Sequence, residues 1–300
     1  MNKKIQGSLA LILATVIWGS SFVAQSVGMD YIGPFTFQAT RCFAAVLALI
    51  PIIYIMDVRS HNGKNFFRRW RDKTLWKAGI LCGIPLFLAV NLQQLGLVDT
   101  DPGKAGFLTA MYIVLVPILG IFLKKKPSKM VPVSVLLAVV GLYFLSCMES
   151  TFIQVGDLLL LGCALMFAVQ IMVVDHYAPH VDALRLNLIQ ALVSAVLSAV
   201  AMCLTETPEI KSIAACWLPI CYTGVLSMGL SYSLQILGQK KLEPTVASLI
   251  MSMESVFAVL TGWVILGDVL TIWETVGCFL VFIAVVLPQI PETKKSHTAK

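Results

Sequence analysis

Charged residues are scarce in this chain of 300 residues: Asp, Glu, Lys and Arg together make up only 13% of it. A soluble domain has about 25% charged and about 45–50% apolar residues, whereas 58% of this sequence is hydrophobic and its mean hydropathy is +0.86. So little charge excludes a chain that folds in water alone. The composition predicts an integral membrane protein with lipid as its main surroundings.

Motifs for catalysis, metal binding and nucleotide binding are lacking as well. The sequence has no His-Glu-x-x-His, no phosphate-binding glycine loop and no Cys-x-x-Cys pair. His176 and His180 are four residues apart, but no third ligand accompanies them, so we predict no metal site. We therefore predict neither an enzyme nor a cofactor, and no direct use of ATP.

Apolar runs of membrane-spanning length recur ten times. A helix needs about 20 apolar residues to cross the ~30 Å hydrocarbon core of a bilayer, whereas transmembrane β-strands alternate over about ten residues, a pattern that these runs do not show. The sequence thus predicts an all-α membrane protein of ten transmembrane helices. The runs lie near residues 5–27, 34–56, 76–97, 105–123, 130–147, 156–175, 184–204, 216–237, 246–266 and 271–289.

The few cations lie almost entirely on one side of this arrangement. With the N-terminus in the cytoplasm, 19 of the 22 Lys and Arg residues fall in cytoplasmic segments, Lys104 and Lys211 fall outside, and Arg41 lies within a helix. Cytoplasmic loops carry an excess of Lys and Arg. The sequence therefore predicts the plasma (inner) membrane with both termini cytoplasmic. The same bias accounts for the net charge of +6 without a nucleic-acid partner.

Reporter fusions test this orientation. Reporters near Lys126 and after Pro291 should give a cytoplasmic signal, and one near Asp101 should give an external signal, because an odd number of predicted helices precedes only Asp101. The measurement is the activity of paired reporters that work on one side of the membrane only. A cytoplasmic signal at Asp101 would contradict the predicted orientation.

The sequence also repeats itself, which is the signature of a duplicated architecture. Matched positions of the two copies are 149 residues apart early in each copy and 142 residues apart later. A longer basic loop around residues 57–77 of the first copy accounts for the difference of seven residues. We predict two five-helix copies, residues 1–149 and 150–300. The matched positions are Gly7 with Gly156, Trp18-Gly19-Ser20-Ser21-Phe22 with Phe167-Ala168-Val169-Gln170-Ile171, and Gly96, Pro102, Ala105, Met111 and Gly120 with Gly238, Pro244, Ala247, Met253 and Gly262.

An odd number of helices per copy has a consequence for topology. Five helices carry the chain to the opposite side of the membrane, so the second copy is inverted relative to the first. Many secondary transporters are built from inverted repeats that exchange conformations around a site near the midplane. We therefore predict a secondary transporter that works by alternating access.

Two ionisable residues fall within predicted helices, where a charge costs at least about 2.5–3.5 kcal/mol and usually marks a pathway. Glu254 lies ten residues after Pro244, about 15 Å along a helix and near the midplane. Arg41 lies seven residues after Pro34. We predict that both face a central cavity. The alternatives are structural: a protonated glutamate that bonds a neighbouring helix, and an arginine that reaches the headgroups.

Each of these residues has a counterpart in the other copy. The counterpart of Arg41 is Gln190 and that of Glu254 is Tyr112, so the two halves are chemically unequal. Arg41 could hold a substrate carboxylate or phosphate through two parallel hydrogen bonds, or it could pair with Glu254. Glu254 could carry a proton, which makes protons the candidate coupling ion.

Other polar side chains would complete the cavity. Sparse polar groups among aromatic ones suit a small amphipathic solute, although each taken alone also suits a hydrogen bond between helices. The predicted contributors are Trp18 on the first helix, Asn91 and Gln94 on the third, and Tyr232 on the eighth.

Several of these residues belong to motifs by which the whole chain resembles the EamA-like family of the drug/metabolite transporter superfamily. The resemblance implies a ten-helix bundle that moves small metabolites or drugs, often outward. Ser255 and Asp268 depart from it, since the family often has Pro and Glu at these positions. The motifs are Trp18-Gly19-Ser20-Ser21-Phe22, Pro34 with Arg41, Gly103-Lys104-Ala105-Gly106-Phe107-Leu108-Thr109 with Tyr112 and Pro117, Pro244-Thr245-Val246-Ala247-Ser248 with Glu254, and Leu266-Gly267-Asp268.

Three functions of different classes follow. The favoured one is a secondary transporter that exports a small organic metabolite, amino-acid-like or otherwise amphipathic, with that solute and membrane lipid as its partners. The alternative is a receptor or scaffold subunit that transports nothing, and the third is a membrane-embedded enzyme.

Overall fold

A computed structural model of the chain describes residues 2–59, 69–100, 102–124, 130–146, 154–266 and 271–289. Helices make up almost all of this part of the chain, and it contains no β-strand. The helices are α1 (Lys3–Met29), α2 (Pro34–Arg59), α3 (Lys73–Asp99), α4 (Pro102–Ala110 and Tyr112–Phe122), α5 (Val131–Ser146), α6 (Val155–Tyr177), α7 (Ala183–Thr205), α8 (Trp217–Cys221, Tyr222–Ser231 and Tyr232–Gln239), α9 (Pro244–Met251 and Met253–Thr261, then Gly262–Leu266) and α10 (Ile272–Val286).

Side chains at the helix starts explain where several of these helices begin. Asn2, Asp72 and Asp182 each accept a hydrogen bond from a backbone N–H in the first turn of the helix that follows. Thr271 and Glu274 form a capping box at the start of α10. Each of these contacts satisfies N–H groups that have no partner inside the helix.

Within the described residues, eight helices are long and apolar enough to cross a membrane, and α5 and α10 are shorter apolar helices of 16 and 15 residues. The prediction of an all-α integral membrane protein is therefore confirmed. The count of ten spans stays a prediction, as do the boundary at residue 149 and the inversion of the second copy. The reporter positions Asp101, Lys126 and Pro291 and the Gly267-Asp268 part of the family motif lie outside the described residues.

Glycines at matched positions of the two copies bring matched helices together. A Cβ atom added to Gly238 on α8 would lie 3.0 Å from the carbonyl oxygen of Gly7 on α1. One added to Gly96 on α3 would likewise lie 3.0 Å from the carbonyl oxygen of Gly156 on α6. Small residues let membrane helices approach closely. The contact between α1 and α8 and the contact between α6 and α3 are thus both formed by a pair of glycines at matched positions.

The same comparison locates one extra residue in α8. Gly83 on α3 packs against Gln190 and Val193 of α7, and Gly224 on α8 packs against the matched positions of α2. On α3 the glycine of the next crossing, Gly96, lies 13 positions after Gly83, whereas on α8 Gly238 lies 14 positions after Gly224. The α8 interval includes most of the π-helix Tyr222–Ser231, whose wider turn takes up one additional residue.

The antiparallel helices α2 and α7 are fastened to each other at both ends, again by matched residues. At the start of α2, the carboxylate of Glu206 accepts hydrogen bonds from the backbone N–H groups of Phe35 and Thr36, at 2.9 and 2.8 Å, and from the Thr36 hydroxyl. We call this contact the Glu206 clamp. An anion is favourable at the positive N-terminal end of a helix.

The opposite end is held by an ion pair, which we call the Asp57 clamp. Asp57, the counterpart of Glu206 at a spacing of 149, accepts a hydrogen bond from Arg185, the counterpart of Thr36. Both side chains are buried, and Arg69 approaches Asp57 from the exposed side at 3.3 Å. The two clamps therefore occupy equivalent places but differ in chemistry.

Candidate substrate cavity

A cavity lies among seven helices at the centre of the bundle. The empty space among its lining atoms, part of which is open to the surroundings, is about 450 Å³, and about 30 Å³ admits the centre of a water-sized sphere. A single water needs about 10–15 Å³ by that measure, so the cavity as described holds a few waters and would widen to take an organic solute. Its lining residues are Trp18, Ser21, Phe22, Gln25, Arg41, Gln93, Tyr112, Phe167, Ile171, Ser227, Tyr232, Gln235, Met251 and Glu254.

Matched residues of the two copies line this cavity together. Of the 14 lining residues, eight form four pairs at the repeat spacings of 149 and 142. Such a lining is what a two-fold relation between the copies produces when its axis passes through the cavity. The pairs are Trp18 with Phe167, Phe22 with Ile171, Gln93 with Gln235, and Tyr112 with Glu254.

One of these pairs is in direct contact. The Tyr112 hydroxyl donates a hydrogen bond to Oε1 of Glu254 at 3.1 Å, and both side chains are almost fully buried. The helices that carry them are interrupted at Met111 and Ser252, one and two residues earlier. Interruptions in the middle of a helix often mark functional hinges. In both copies, therefore, the helix is interrupted immediately before the residue that the copy contributes to this hydrogen bond.

The residue after Glu254 has a structural role of its own. The Ser255 hydroxyl donates a hydrogen bond to the Gly106 carbonyl oxygen at 3.0 Å, which ties α9 to α4. The resembled family often has proline here, and proline has no side-chain donor. The departure at Ser255 thus adds a contact between the two helices that carry Tyr112 and Glu254.

Arg41 enters the cavity from α2 as a buried cation. Its side chain is 2% exposed, and its guanidinium carbon lies 5.9 Å from the centre of the Phe37 ring. Nε and Nη1 are buried and have no hydrogen-bond partner. Arg41 and Glu254 line the same cavity, but they do not figure among the ion pairs of the described residues.

Aromatic side chains supply much of the remaining wall. The Trp18 and Tyr232 rings meet edge to face with their centres 5.0 Å apart, and Tyr112 meets Phe167 in the same manner at 6.4 Å. The indole Nε1 of Trp18 is buried without a hydrogen-bond partner. A buried Trp usually finds a partner for this N–H, so the cavity presents a second unused donor beside those of Arg41.

Three of the predicted site residues do not line the cavity. Asn91 donates to the Ser198 hydroxyl at 2.8 Å and so joins α3 to α7. Gln94 accepts a hydrogen bond from Gln38 at 3.0 Å. Hydrogen bonds between helices were the alternative role that the sequence analysis gave to these polar residues. The third residue, Gln190, is also hydrogen-bonded within the bundle.

Gln190 belongs to a chain of amides that links α8, α6 and α7. Gln235 donates to Oε1 of Gln170 at 3.0 Å, Gln170 donates to Oε1 of Gln190 at 3.2 Å, and Gln190 donates to Oδ1 of Asn187 at 2.9 Å. Of these four residues only Gln235 reaches the cavity. Arg41 lines the cavity, whereas its counterpart Gln190 does not and is hydrogen-bonded to other amides.

Sequence reasoning missed several lining residues, including Phe22, Gln93, Ser227, Gln235 and Met251. The sequence does indicate two of them, because Gln93 and Gln235 are separated by the repeat spacing of 142 residues. Two polar residues at matched positions near the centre of both copies could have been selected on that ground. Ser227 could not, since it lies within the π-helix, where the register of the repeat changes.

The described part of the chain contains no group of three His, Cys, Asp or Glu side chains that could hold a metal ion. His176 packs edge to face against Tyr177 with ring centres 4.7 Å apart. The cavity itself contributes one carboxylate, one guanidinium and several amides and hydroxyls. That set is suited to binding a polar organic group.

Gly19 provides a test of how closely the cavity walls are packed. An added Cβ would lie 2.6 Å from the Glu254 carbonyl oxygen, so α1 would have to move away from α9. We expect Gly19→Ala to lower the free energy of unfolding by about 1–3 kcal/mol, as overpacking does, measured by thermal unfolding of the purified protein. Gly162→Ala is the control, since its nearest neighbour would lie at 3.5 Å. Equal stability of the two variants would contradict the close contact.

Comparisons with known proteins identify a family and transporter relatives. The EamA-like transporter family matches residues 5–147 and again residues 154–288. An uncharacterized transporter of Archaeoglobus fulgidus is 33% identical over 290 residues, which are 96% of this chain and 87% of that protein. The uncharacterized transporter YoaV of Bacillus subtilis is 24% identical over 280 residues, covering 91% of this chain and 93% of its own.

A solved crystal structure supports the fold. It covers 94% of this chain and 95% of its own length with a TM-score of 0.74, at 17% sequence identity. An identity that low supports the fold alone, whereas the family match covers both copies of this chain. The chain is a membrane transporter of the EamA-like transporter family.

Proposed function

We propose that this chain is a secondary transporter that exports a small organic metabolite, amino-acid-like or otherwise amphipathic, across the plasma (inner) membrane with both termini in the cytoplasm. The observation that carries the proposal is the cavity lining, in which four pairs of matched residues from the two copies surround one central space. A site shared by two inverted copies can be opened to either side when the copies exchange conformations.

The packing of the helices supports the same mechanism. The α1–α8 and α6–α3 crossings use matched glycines, and α2 and α7 are fastened by matched residues at both ends. A rearrangement that loosens one clamp while keeping the other would open the bundle at one end only. Neither a receptor nor a scaffold subunit needs a buried polar cavity at the centre of such a pair.

Glu254 is the proposed carrier of a coupled proton. Among the described residues that line the cavity, Glu254 provides the only carboxylate, and its partner in the matched pair, Tyr112, carries a phenol instead. Its hydrogen bond from Tyr112 joins the two copies. Movement of the copies would change this bond, and with it the proton affinity of the carboxyl group.

The test is efflux from proteoliposomes that contain the purified chain. Vesicles are loaded with a defined mixture of amino acids, nucleosides, sugars and vitamins, and mass spectrometry measures which solutes leave. Ser227→Trp, which places a large ring in the cavity, is compared with Leu13→Trp, which adds the same ring to an exposed position.

We expect at least one solute to leave faster from native and Leu13→Trp vesicles than from Ser227→Trp vesicles. The size of the difference ranks the solutes for later kinetic work. If every solute leaves all three preparations at the same rate as it leaves protein-free vesicles, transport of these metabolite classes is ruled out and the proposal falls.

A further inference from the structure

We infer that Arg41 and Trp18 form a binding subsite for the carboxylate of an organic anion, an inference that rests on the proposed transport through the same cavity. The first ground is the unused hydrogen-bonding capacity. Nε and Nη1 of Arg41 and Nε1 of Trp18 are buried donors without partners, and both residues line the cavity. Buried polar groups are nearly always hydrogen-bonded, so these donors at the cavity are available to an acceptor on a bound ligand.

The second ground is the missing counter-charge. Arg41 is 2% exposed, and the only carboxylate among the cavity-lining residues, Glu254, is engaged by Tyr112 rather than by Arg41. A buried charge costs a great deal of free energy unless it is paired. An anionic group bound in the cavity would supply the counter-charge that the described residues leave out.

The third ground is the comparison with the other copy. Gln190, the counterpart of Arg41, has its amide oxygen bonded to Gln170 and its amide nitrogen bonded to Asn187. The counterparts of those two partners in the first copy are Ser21 and Gln38.

Neither counterpart bonds to Arg41. The Gln38 amide donates to the Val90 carbonyl oxygen and to Gln94, at 2.9 and 3.0 Å, and the Ser21 hydroxyl donates to the Trp18 carbonyl oxygen at 2.8 Å. The second copy thus satisfies its polar side chain internally, whereas the first copy leaves the guanidinium open to the cavity. The anion subsite therefore exists once, on the α2 side of the cavity.

The aromatic wall beside Arg41 favours an organic acid over an inorganic anion. A guanidinium presents planar donors that match the two oxygens of a carboxylate. The wall beside it is aromatic, with Trp18 packed against Tyr232 and with Phe22 and Phe167 in the same lining. A strongly hydrated inorganic anion would gain little from such a wall, whereas the apolar body of an organic acid would bury surface against it.

The experiment measures ligand-induced thermal stabilisation of the purified full-length chain with matched pairs of probes. Butyrate is compared with butyramide, and benzoate with benzamide, because each pair keeps its shape and loses only the charge; sodium chloride and inorganic phosphate serve as further probes. The variants are Arg41→Lys and Arg41→Gln, the latter introducing the residue found in the second copy. Lys211→Gln removes an exposed positive charge and serves as the control.

We expect the carboxylates, and not the amides, to stabilise the native protein and Lys211→Gln. Apparent affinity should fall at least tenfold in Arg41→Gln and by a smaller factor in Arg41→Lys, because an ammonium group keeps the charge and loses the planar fork. Equal stabilisation by chloride or phosphate would assign the site to inorganic anions and overturn the inference. So would unchanged carboxylate binding by Arg41→Gln.

The outcome is separable from that of the proposed function. Carboxylate binding that depends on Arg41, with no efflux of any solute from proteoliposomes, would keep the subsite and reject transport. Efflux that is undiminished in Arg41→Gln would keep transport and reject the subsite. Size-exclusion chromatography of each variant before the measurement confirms that the comparison is between folded proteins.

Discussion

Glu254→Gln should abolish accumulation driven by a pH gradient while it spares substrate binding. The carboxyl lies buried in the cavity and accepts a hydrogen bond from Tyr112. A glutamine has nearly the same size, and its amide oxygen can accept the same bond, so packing around α9 is retained. An amide cannot take up and release a proton at physiological pH, so only the coupling step is removed.

The measurement is uphill movement of a substrate identified in the efflux test, under an imposed pH gradient, together with exchange at equal pH. Glu243→Gln is the matched control, because that carboxyl is exposed just before the same helix and its side chain does not cap the helix. Unchanged uphill transport in Glu254→Gln would end the coupling hypothesis. If Glu254→Gln loses transport and also unfolds at a lower temperature than the native protein, the role of the carboxyl group is in helix packing instead.

The second large effect should come from Arg185→Ala at the Asp57 clamp. Removing one partner of a buried ion pair typically costs about 3–5 kcal/mol, because the other charge stays buried without compensation. Arg69 remains 3.3 Å from Asp57 in the native arrangement and is itself partly exposed. We therefore expect Arg185→Ala to lower the free energy of unfolding by about 3 kcal/mol, the lower end of this range. Thermal unfolding of the purified chain measures the change.

The Glu206 clamp offers a comparison within the same pair of helices. Glu206→Ala removes hydrogen bonds to the first turn of α2 and leaves no buried charge behind, so its cost should resemble that of losing a helix cap, about 0.5–2 kcal/mol. The double variant Asp57→Ala with Arg185→Ala should recover part of the stability lost in Arg185→Ala. Equal losses from Arg185→Ala and Glu206→Ala would mean that the Asp57 clamp is not a buried pair.

Much of the architecture could be predicted because its causes are local in the sequence. Apolar length predicts the helices, and the 149- and 142-residue spacings predict which positions should be equivalent. The structure places the matched residues Tyr112 and Glu254 in contact and brings matched glycines to matched crossings. Of the predicted cavity residues, Trp18, Arg41, Tyr112, Tyr232 and Glu254 line one space.

The remainder of the site depends on which neighbour each polar side chain meets. Asn91, Gln94 and Gln190 lie on helix faces that point into the bundle, as do the cavity residues, and helical periodicity does not distinguish a face that meets another helix from one that meets a void. Asn91 finds Ser198 on a helix more than 100 residues away in sequence. Such pairings are properties of the packed bundle.

The π-helix in α8 would make the two end states unequal if the protein works by alternating access. If the two copies exchange conformations, α3 must adopt the shape of α8, yet its two contact glycines are 13 positions apart, whereas those of α8 are 14 positions apart. One helix lacks the residue for a wide turn, and the other has one residue too many for a regular helix. The inward-open and outward-open states would then differ in free energy. The carrier would favour the state that is open to one side of the membrane. The number of residues in α3 and α8, rather than any single contact, would set that preference.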